Sequence, residues 1–300
     1  MGDRRLQVFH ALAQHRSFLR AAEALFMSQS AVHFQIRQLE AELNTRLLER
    51  GKGVLDLTPS GRIAFGYAER ILALSREMET RLTEMTDDMR GALRVGASSG
   101  IGDQLLPALL AEFSGLYPQV TVQLHIANST SVAEGVAAGD WDLGLVALPG
   151  PLPGLDCESC GQTELRVVCT PDHPLARSRT VTGRALKDYE AVVREPGSGS
   201  RQAAEAFLAA AGTGSDAIKV VLQASSTEAL KAAAATGLGY AIVFAHAVER
   251  EVREGSLASI PLKPRLTQHV CLVYRQGHYR SRVVATCGEF LRRRLQETLV

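Results

Sequence analysis

Ser28-Gln29-Ser30-Ala31-Val32-His33-Phe34-Gln35-Ile36-Arg37-Gln38-Leu39-Glu40-Ala41-Glu42-Leu43 is the stretch on which the reading of this chain turns. Val32, Ile36, Leu39 and Leu43 recur at spacings of four, three and four, which predicts one apolar stripe along a helix. Ser30, His33, Phe34 and Arg37 fall on the opposite face, with Gln29 at the N-terminal tip and the Ser28 hydroxyl placed to cap the helix. Upstream, Leu6, Phe9, Leu12 and Ala13 predict a first amphipathic helix. Ser17 caps a short second helix from Phe18 to Leu25, whose Ala21-Ala22 pair lets another helix approach closely, and Phe26-Met27 makes the turn. Two helices, a tight turn and a third helix with a polar N-terminal face fit a helix-turn-helix, in which the last helix offers its first side chains to base edges in the major groove. Downstream, Leu47 to Leu57 reads as a glycine-tipped hairpin with Arg50 and Lys52 near its tip, a wing suited to phosphate. The candidate DNA-contacting residues are therefore Ser28, Gln29, Ser30, His33, Phe34, Arg37, Arg50 and Lys52. Pattern alone also fits an ordinary three-helix bundle with a hairpin.

Thr58 and Pro59 open the next helix as a cap followed by proline at the first helical position. Its Ala64, Tyr67, Ile71, Leu74, Met78, Leu82 and Met85 alternate spacings of three and four, close to a coiled-coil seam. That stripe predicts self-association as a dimer or tetramer, with Asp87 to Gly91 as a hinge. From Ala92 onward short β runs alternate with helices: strands near 93–97, 120–126, 142–147, 164–168, 191–193, 219–222, 240–244 and 269–274. This order predicts largely parallel sheet covered by helices. The fold class expected is α/β with an N-terminal all-α winged helix-turn-helix. Residues 1–58 make the winged head, 59–90 the linker helix and hinge, and 91–300 two α/β subdomains, one from 91–163 with 269–300 and the other from 164–268.

Ligand contacts in such sheets sit at the carboxyl ends of strands. Ser98-Ser99-Gly100, Asn128-Ser129-Thr130, Ser198-Gly199-Ser200-Arg201 and the Ser225-Ser226-Thr227 run each lie where a strand gives way to a helix. Helix N-termini expose unpaired N–H groups and a positive dipole end, so these clusters are candidate anion cradles. Each alone also reads as a plain helix cap, and Arg201 has Glu195 and Glu205 as rival partners.

The 300 residues are 46% hydrophobic and 22% charged, which excludes wholesale disorder. Net charge is +1, but residues 1–62 hold nine Lys and Arg against six Asp and Glu, a weakly basic head on a neutral body. The most apolar stretch, 230–248, is broken by Lys231, Thr236, Gly237, Gly239 and His246, so no membrane span is expected. The N-terminus has no apolar signal core, and a cytoplasmic protein is the expectation. Five cysteines do not make a disulfide framework. Cys157-x-x-Cys160 has no second cysteine pair or His-x-x-x-His to complete a metal site and reads as a bland pair, with redox sensing as the alternative. Gly237-Leu238-Gly239 precedes a strand rather than following one, and no Gly-x-Ser-x-Gly elbow occurs. No cofactor, no metal and no catalysis are expected; a hydrolase built on Ser198 or Ser200 would lack a base placed by the sequence.

The run Phe9…Ser17-Phe18-x-x-Ala21-Ala22-x-x-Leu25-x-x-Ser28-Gln29-x-Ala31-Val32-x-x-Gln35-Ile36-x-x-Leu39-Glu40-x-x-Leu43-x-x-x-Leu47-Leu48-x-Arg50, continued by Leu57-Thr58-Pro59-Ser60-Gly61, resembles the LysR-type transcriptional regulators. The resemblance is long, ungapped and specific in the head, and looser over the rest of the chain. It implies DNA contacts from Gln29, Ser30, His33, Phe34 and Arg50, dimerisation through the linker helix, and a periplasmic-binding-protein-like effector domain. It also implies a small effector near Ser98–Gly100, Asn128–Thr130 and Thr227, and the Gly-Ser-Gly-Ser-Arg loop leans toward the sulfur-assimilation and carbon-fixation branch. Ser30 stands where the family has proline, His33 where it has a hydroxyl residue, and Asn44 where it has glycine. The expectation is a regulator of promoter DNA controlled by a small anionic metabolite; the competing reading is a solute-binding module with a protein-docking head.

Overall fold

The computed structural model of the chain describes residues 4–51, 54–84, 89–148, 150 and 152–299. They fall into two compact units, residues 1–88 and 89–300. In the first, α1 (Arg4–His15), α2 (Phe18–Ala24) and α3 (Gln29–Glu42) are followed by β1 (Leu48–Gly51), β2 (Val54–Leu57) and the long α4 (Pro59–Glu84). The serines before α2 and α3 act as caps: Ser17 accepts from the N–H of Arg20, and Ser28 from that of Ala31. Val8, Phe9 and Leu12 of α1 meet Ala21 and Ala22 of α2 and Val32, Ile36 and Leu39 of α3 in one buried core. β1 and β2 pair antiparallel, Leu48 opposite Leu57 and Arg50 opposite Leu55. The Glu40 carboxylate accepts the N–H of Leu47 at 2.7 Å, tying α3 to the base of this hairpin. A Cβ on Gly61 would lie 2.0 Å from the Leu47 carbonyl oxygen, so the first turn of α4 needs glycine to reach that base. Ala68 and Leu72 of α4 are buried, whereas Tyr67, Ile71, Leu74, Met78 and Leu82 are exposed. Met85, the last residue of the expected seam, and Asp87 and Asp88 of the expected hinge lie outside the described residues.

The second unit runs β3 (Gly91–Ser98), α5 (Ser99–Leu116), β4 (Val120–Ala127), α6 (Ser129–Ala138), β5 (Leu143–Ala147), β6 (Leu155–Cys169), α7 (Gly183–Leu186) and β7 (Glu190–Arg194). It continues through α8 (Gly199–Ala210), β8 (Lys219–Ala224), α9 (Thr227–Ala235), β9 (Ala241–Phe244), α10 (Glu249–Glu254), β10 (Ala258–Arg275) and α11 (Arg282–Thr298). One six-stranded sheet has the order β4-β3-β5-β10-β6-β9; β7 and β8 form a second, parallel pair, bridged to the first at Ala191 and Tyr240. β3 is parallel to β4 and β5, but β10 is antiparallel to both β5 and β6, and β6 to β9.

The sheet is therefore mixed, and the expectation of a largely parallel one is corrected. The reason is the length of β6 and β10, 15 and 18 residues, which run through both lobes of the unit. The bond register between them shifts between Pro261 and Leu266, where the prolines and charges of β10 hid a continuous strand from pattern reading. Leu93, Val95, Leu143, Leu145 and Leu272 of the first lobe pack under α5 and α11, with Ile101, Leu106, Cys287 and Leu291. Val167, Leu186, Ala191, Phe207 and Leu208 form the core of the other lobe.

Candidate functional site

In the head, the cap at Ser28 fixes the start of α3 and so fixes which side chains stand at its tip. Gln29, Ser30, His33, Phe34 and Arg37 are all exposed there, while the stripe at Val32, Ile36 and Leu39 is buried. Ser28 Oγ lies 3.0 Å from Ser30 Oγ, so the two hydroxyls face the same side. The His33 ring stacks on Phe18 with centroids 3.8 Å apart and planes 11° off parallel, which holds the imidazole against α2. Phe34 stays 58% exposed, a large apolar ring on a polar face. Arg50 sits on β1 toward the hairpin tip; its side chain and all of Lys52 lie outside the described residues.

In the second unit, the carboxyl ends of β3, β4 and β7 and the N-termini of α5, α6 and α8 converge on a small recess that opens to solvent. Ser98, Ser99, Gly100, Asn128, Ser129, Ser198, Gly199 and Ser200 line it, together with Arg194 and Phe244. Three of the four clusters named from the sequence thus meet at one place, and the two lobes touch there. The Thr130 N–H donates to the Gly197 carbonyl at 3.1 Å, and Gln268 Nε2 donates to the Gly199 carbonyl at 3.2 Å. A Cβ on Gly199 would lie 1.7 Å from the Ala147 carbonyl oxygen, so only glycine lets the start of α8 come this close to the end of β5.

The hydroxyls differ in what they already do. Asn128 accepts from Ser131 N at 2.9 Å as a cap, and Ser129 Oγ donates to the Ala147 carbonyl at 3.2 Å. Ser198 and Ser200 bond each other at 3.1 Å. Ser98 and Ser99 are 5% and 3% exposed, and their hydroxyls have no hydrogen-bond partner. Behind them His246 Nε2 bonds the Gly100 carbonyl at 2.9 Å and Nδ1 lies 3.1 Å from Thr163 Oγ1. Burial pushes the His246 imidazole below its ordinary value, so the ring donates as the neutral form.

Three expected ligand residues, Arg201, Thr130 and Thr227, do not line the recess. Arg201 turns away: it bonds Glu205 at 2.7 Å one helical turn on, Gln223 at 2.9 Å and the Arg194 carbonyl at 2.8 Å. Its i,i+4 acid claimed it. Thr130 spends its N–H on Gly197, and its side chain does not line the recess. Thr227 stands one bond back, receiving Arg194 Nη1 at 3.1 Å. Arg194 itself was missed. It is 4% exposed and the one charged side chain of the lining, held by Glu195 at 2.8 and 3.0 Å. Its signal was its position, the last residue of a β run that leads straight into the Pro-Gly-Ser-Gly-Ser loop.

Cys157 is exposed and Cys160 buried, as three residues along a strand places side chains on opposite faces. Burial pushes the Cys160 thiol up to about 11. No group of three or more His, Cys, Asp or Glu among the described residues is placed to hold a metal ion, and no described helix is long and apolar enough to cross a membrane.

Residues 4–62 match the family model described as bacterial regulatory helix-turn-helix protein, lysR family, and residues 86–296 match that of the LysR substrate binding domain. A RuBisCO operon transcriptional regulator of Allochromatium vinosum is 36% identical over 291 residues, covering 96% of this chain and 94% of that protein. Among solved structures, the regulatory domain of Synechocystis PCC6803 CcmR in complex with 2-PG aligns with a TM-score of 0.64 at 24% identity, over 70% of this chain and all of that domain (100%). Full-length CbnR complexed with its target DNA aligns with a TM-score of 0.62 at 23% identity, over 98% of this chain and 99% of that one. At those identities the two structures share its fold.

Proposed function

This chain belongs to the LysR family of transcriptional regulators, and from that premise we propose how its parts divide the work. The exposed tip of α3 reads promoter DNA: Gln29, Ser30, His33 and Phe34 meet base edges, with Ser28, Arg37, Arg50 and Lys52 toward phosphate. The exposed stripe of α4 pairs with a second copy of the chain. The recess takes a small anionic metabolite bridging subdomain 91–163 with 269–300 and subdomain 164–268, so that binding shifts the balance between open and closed lobes. The target is a carbon-fixation operon, as the name of the 36%-identical relative suggests, and the protein works in the cytoplasm, where that DNA lies.

One observation carries the effector reading: two serine hydroxyls, Ser98 and Ser99, buried in the recess without partners. A buried polar group left unpaired costs about 1–3 kcal/mol, which a ligand rich in acceptors removes. The surrounding helix N-termini favour negative charge on that ligand. Catalysis by Ser198 or Ser200 has no such support, since each hydroxyl engages the other. The test is calorimetric titration of the full chain with inorganic phosphate and with 2-PG. Replacing Ser98 and Ser99 together by alanine should weaken binding about tenfold or more while DNA affinity holds. Unchanged affinity in that variant would place the effector elsewhere.

A further inference from the structure

Arg194 shows an arrangement that a simple anion cradle does not require. Its side chain lies buried at the wall of the recess, yet four of its five N–H groups are already engaged. Nη1 donates to Thr227 Oγ1, and Nη2 also reaches the Ser225 carbonyl at 3.4 Å. Nε and Nη2 together grip the two carboxylate oxygens of Glu195 at 2.8 and 3.0 Å. That side-by-side pair of bonds is how a guanidinium takes up a carboxylate or phosphate from outside. The anion-docking edge of the only charged residue lining the recess is thus occupied by the chain's own acid.

A buried arginine with no counter-ion is strongly destabilising, so some acid must stand there when no ligand is bound. Glu195 is suited to a part-time role. Its side chain is 16% exposed, against 4% for Arg194, and Pro196 beside it is exposed, so a released carboxylate has water within reach. Ser98 and Ser99 offer the incoming group two unused hydroxyls on the facing wall.

We infer that Glu195 is an internal stand-in for the effector's acid group, displaced from Arg194 when that group enters the recess. The inference rests on the effector reading above and adds to it the identity of the competitor. It makes the recess a site of anion exchange: a carboxylate or phosphate leaves Arg194 paired, whereas an uncharged analogue of equal shape cannot release Glu195 and binds poorly.

The experiment titrates inorganic phosphate into the full-length protein, its Glu195→Gln variant and its Ser98→Ala variant. The wild type is also labelled with ¹⁵N-arginine so that the Arg194 Nε–H signal can be followed. Glu195→Gln keeps the shape and removes the competing charge, so phosphate should bind it about tenfold or more tightly than wild type. In the wild type the Arg194 signal should move as phosphate saturates. A Ser98-dependent affinity that is equal or weaker in a folded Glu195→Gln protein overturns the exchange and leaves the effector site standing. An Arg194 signal that stays fixed at saturation does the same, whether or not the variant folds. Phosphate binding to neither wild type nor Glu195→Gln sinks both.

Discussion

Phe26 occupies the turn between α2 and α3 with φ at 53° and 98% exposure. The left-handed region costs an L-residue about 1–2 kcal/mol, less for asparagine, whose side chain is tolerated there. Burial returns nothing to this ring, so Phe26→Asn should raise the stability of the head by about 0.5–1 kcal/mol, read as a higher midpoint in denaturant. A lower midpoint would show the ring to be held by contacts. Single residues were also where the sequence was least legible. The Ser98, Asn128 and Ser198 clusters could be placed because strand-to-helix junctions are visible as pattern. Which of their neighbours face inward was not. Arg201 looked like the charge of the site, but Glu205 one turn later holds it, and Arg194 carries that position because β7 runs one residue further than its apolar run.

At the scale of elements, most helices with a stripe and a cap were readable to within a residue or two, since burial and capping are both written locally, although α11 runs on to Thr298, three residues past its expected end. α3 ends where Asn44 stands in place of glycine, and Asn44 takes φ 47°, a conformation its side chain tolerates. β6 and β10 were legible only in part, because their pairing joins residues a hundred apart and their middle carries prolines and charges. The stripe of α4 gives the prediction that belongs here. Ile71 and Met78 are 46% and 50% exposed in the single chain, too large an apolar edge to leave in water along with Tyr67, Leu74 and Leu82. Ile71→Lys combined with Met78→Lys should dissociate the oligomer, seen as a drop in mass by sedimentation. An unchanged assembly would place the self-association surface elsewhere.

For the whole molecule, two partly buried imidazoles should set a pH response. Burial holds His173 and His246 below the ordinary imidazole value of 6.5. The unfolded chain binds protons near that value while the folded chain does not, so the stabilisation present above pH 6.5 is lost as pH falls toward the folded values. The thermal midpoint of the effector unit should therefore fall between pH 7.5 and 5.5, and His246→Gln should flatten that fall. An equal slope in the variant would assign the response to other groups. At the same scale, the tip of α3 is proposed to read particular promoter DNA. The direct measurement is to incubate the full-length protein with sheared genomic DNA from its source, recover the retained fragments and sequence them. The retained fragments should concentrate upstream of RuBisCO genes and share a motif, and Gln29→Ala should retain DNA but lose the motif. Retained fragments scattered without a shared motif, or a motif unaltered in Gln29→Ala, would contradict that proposal.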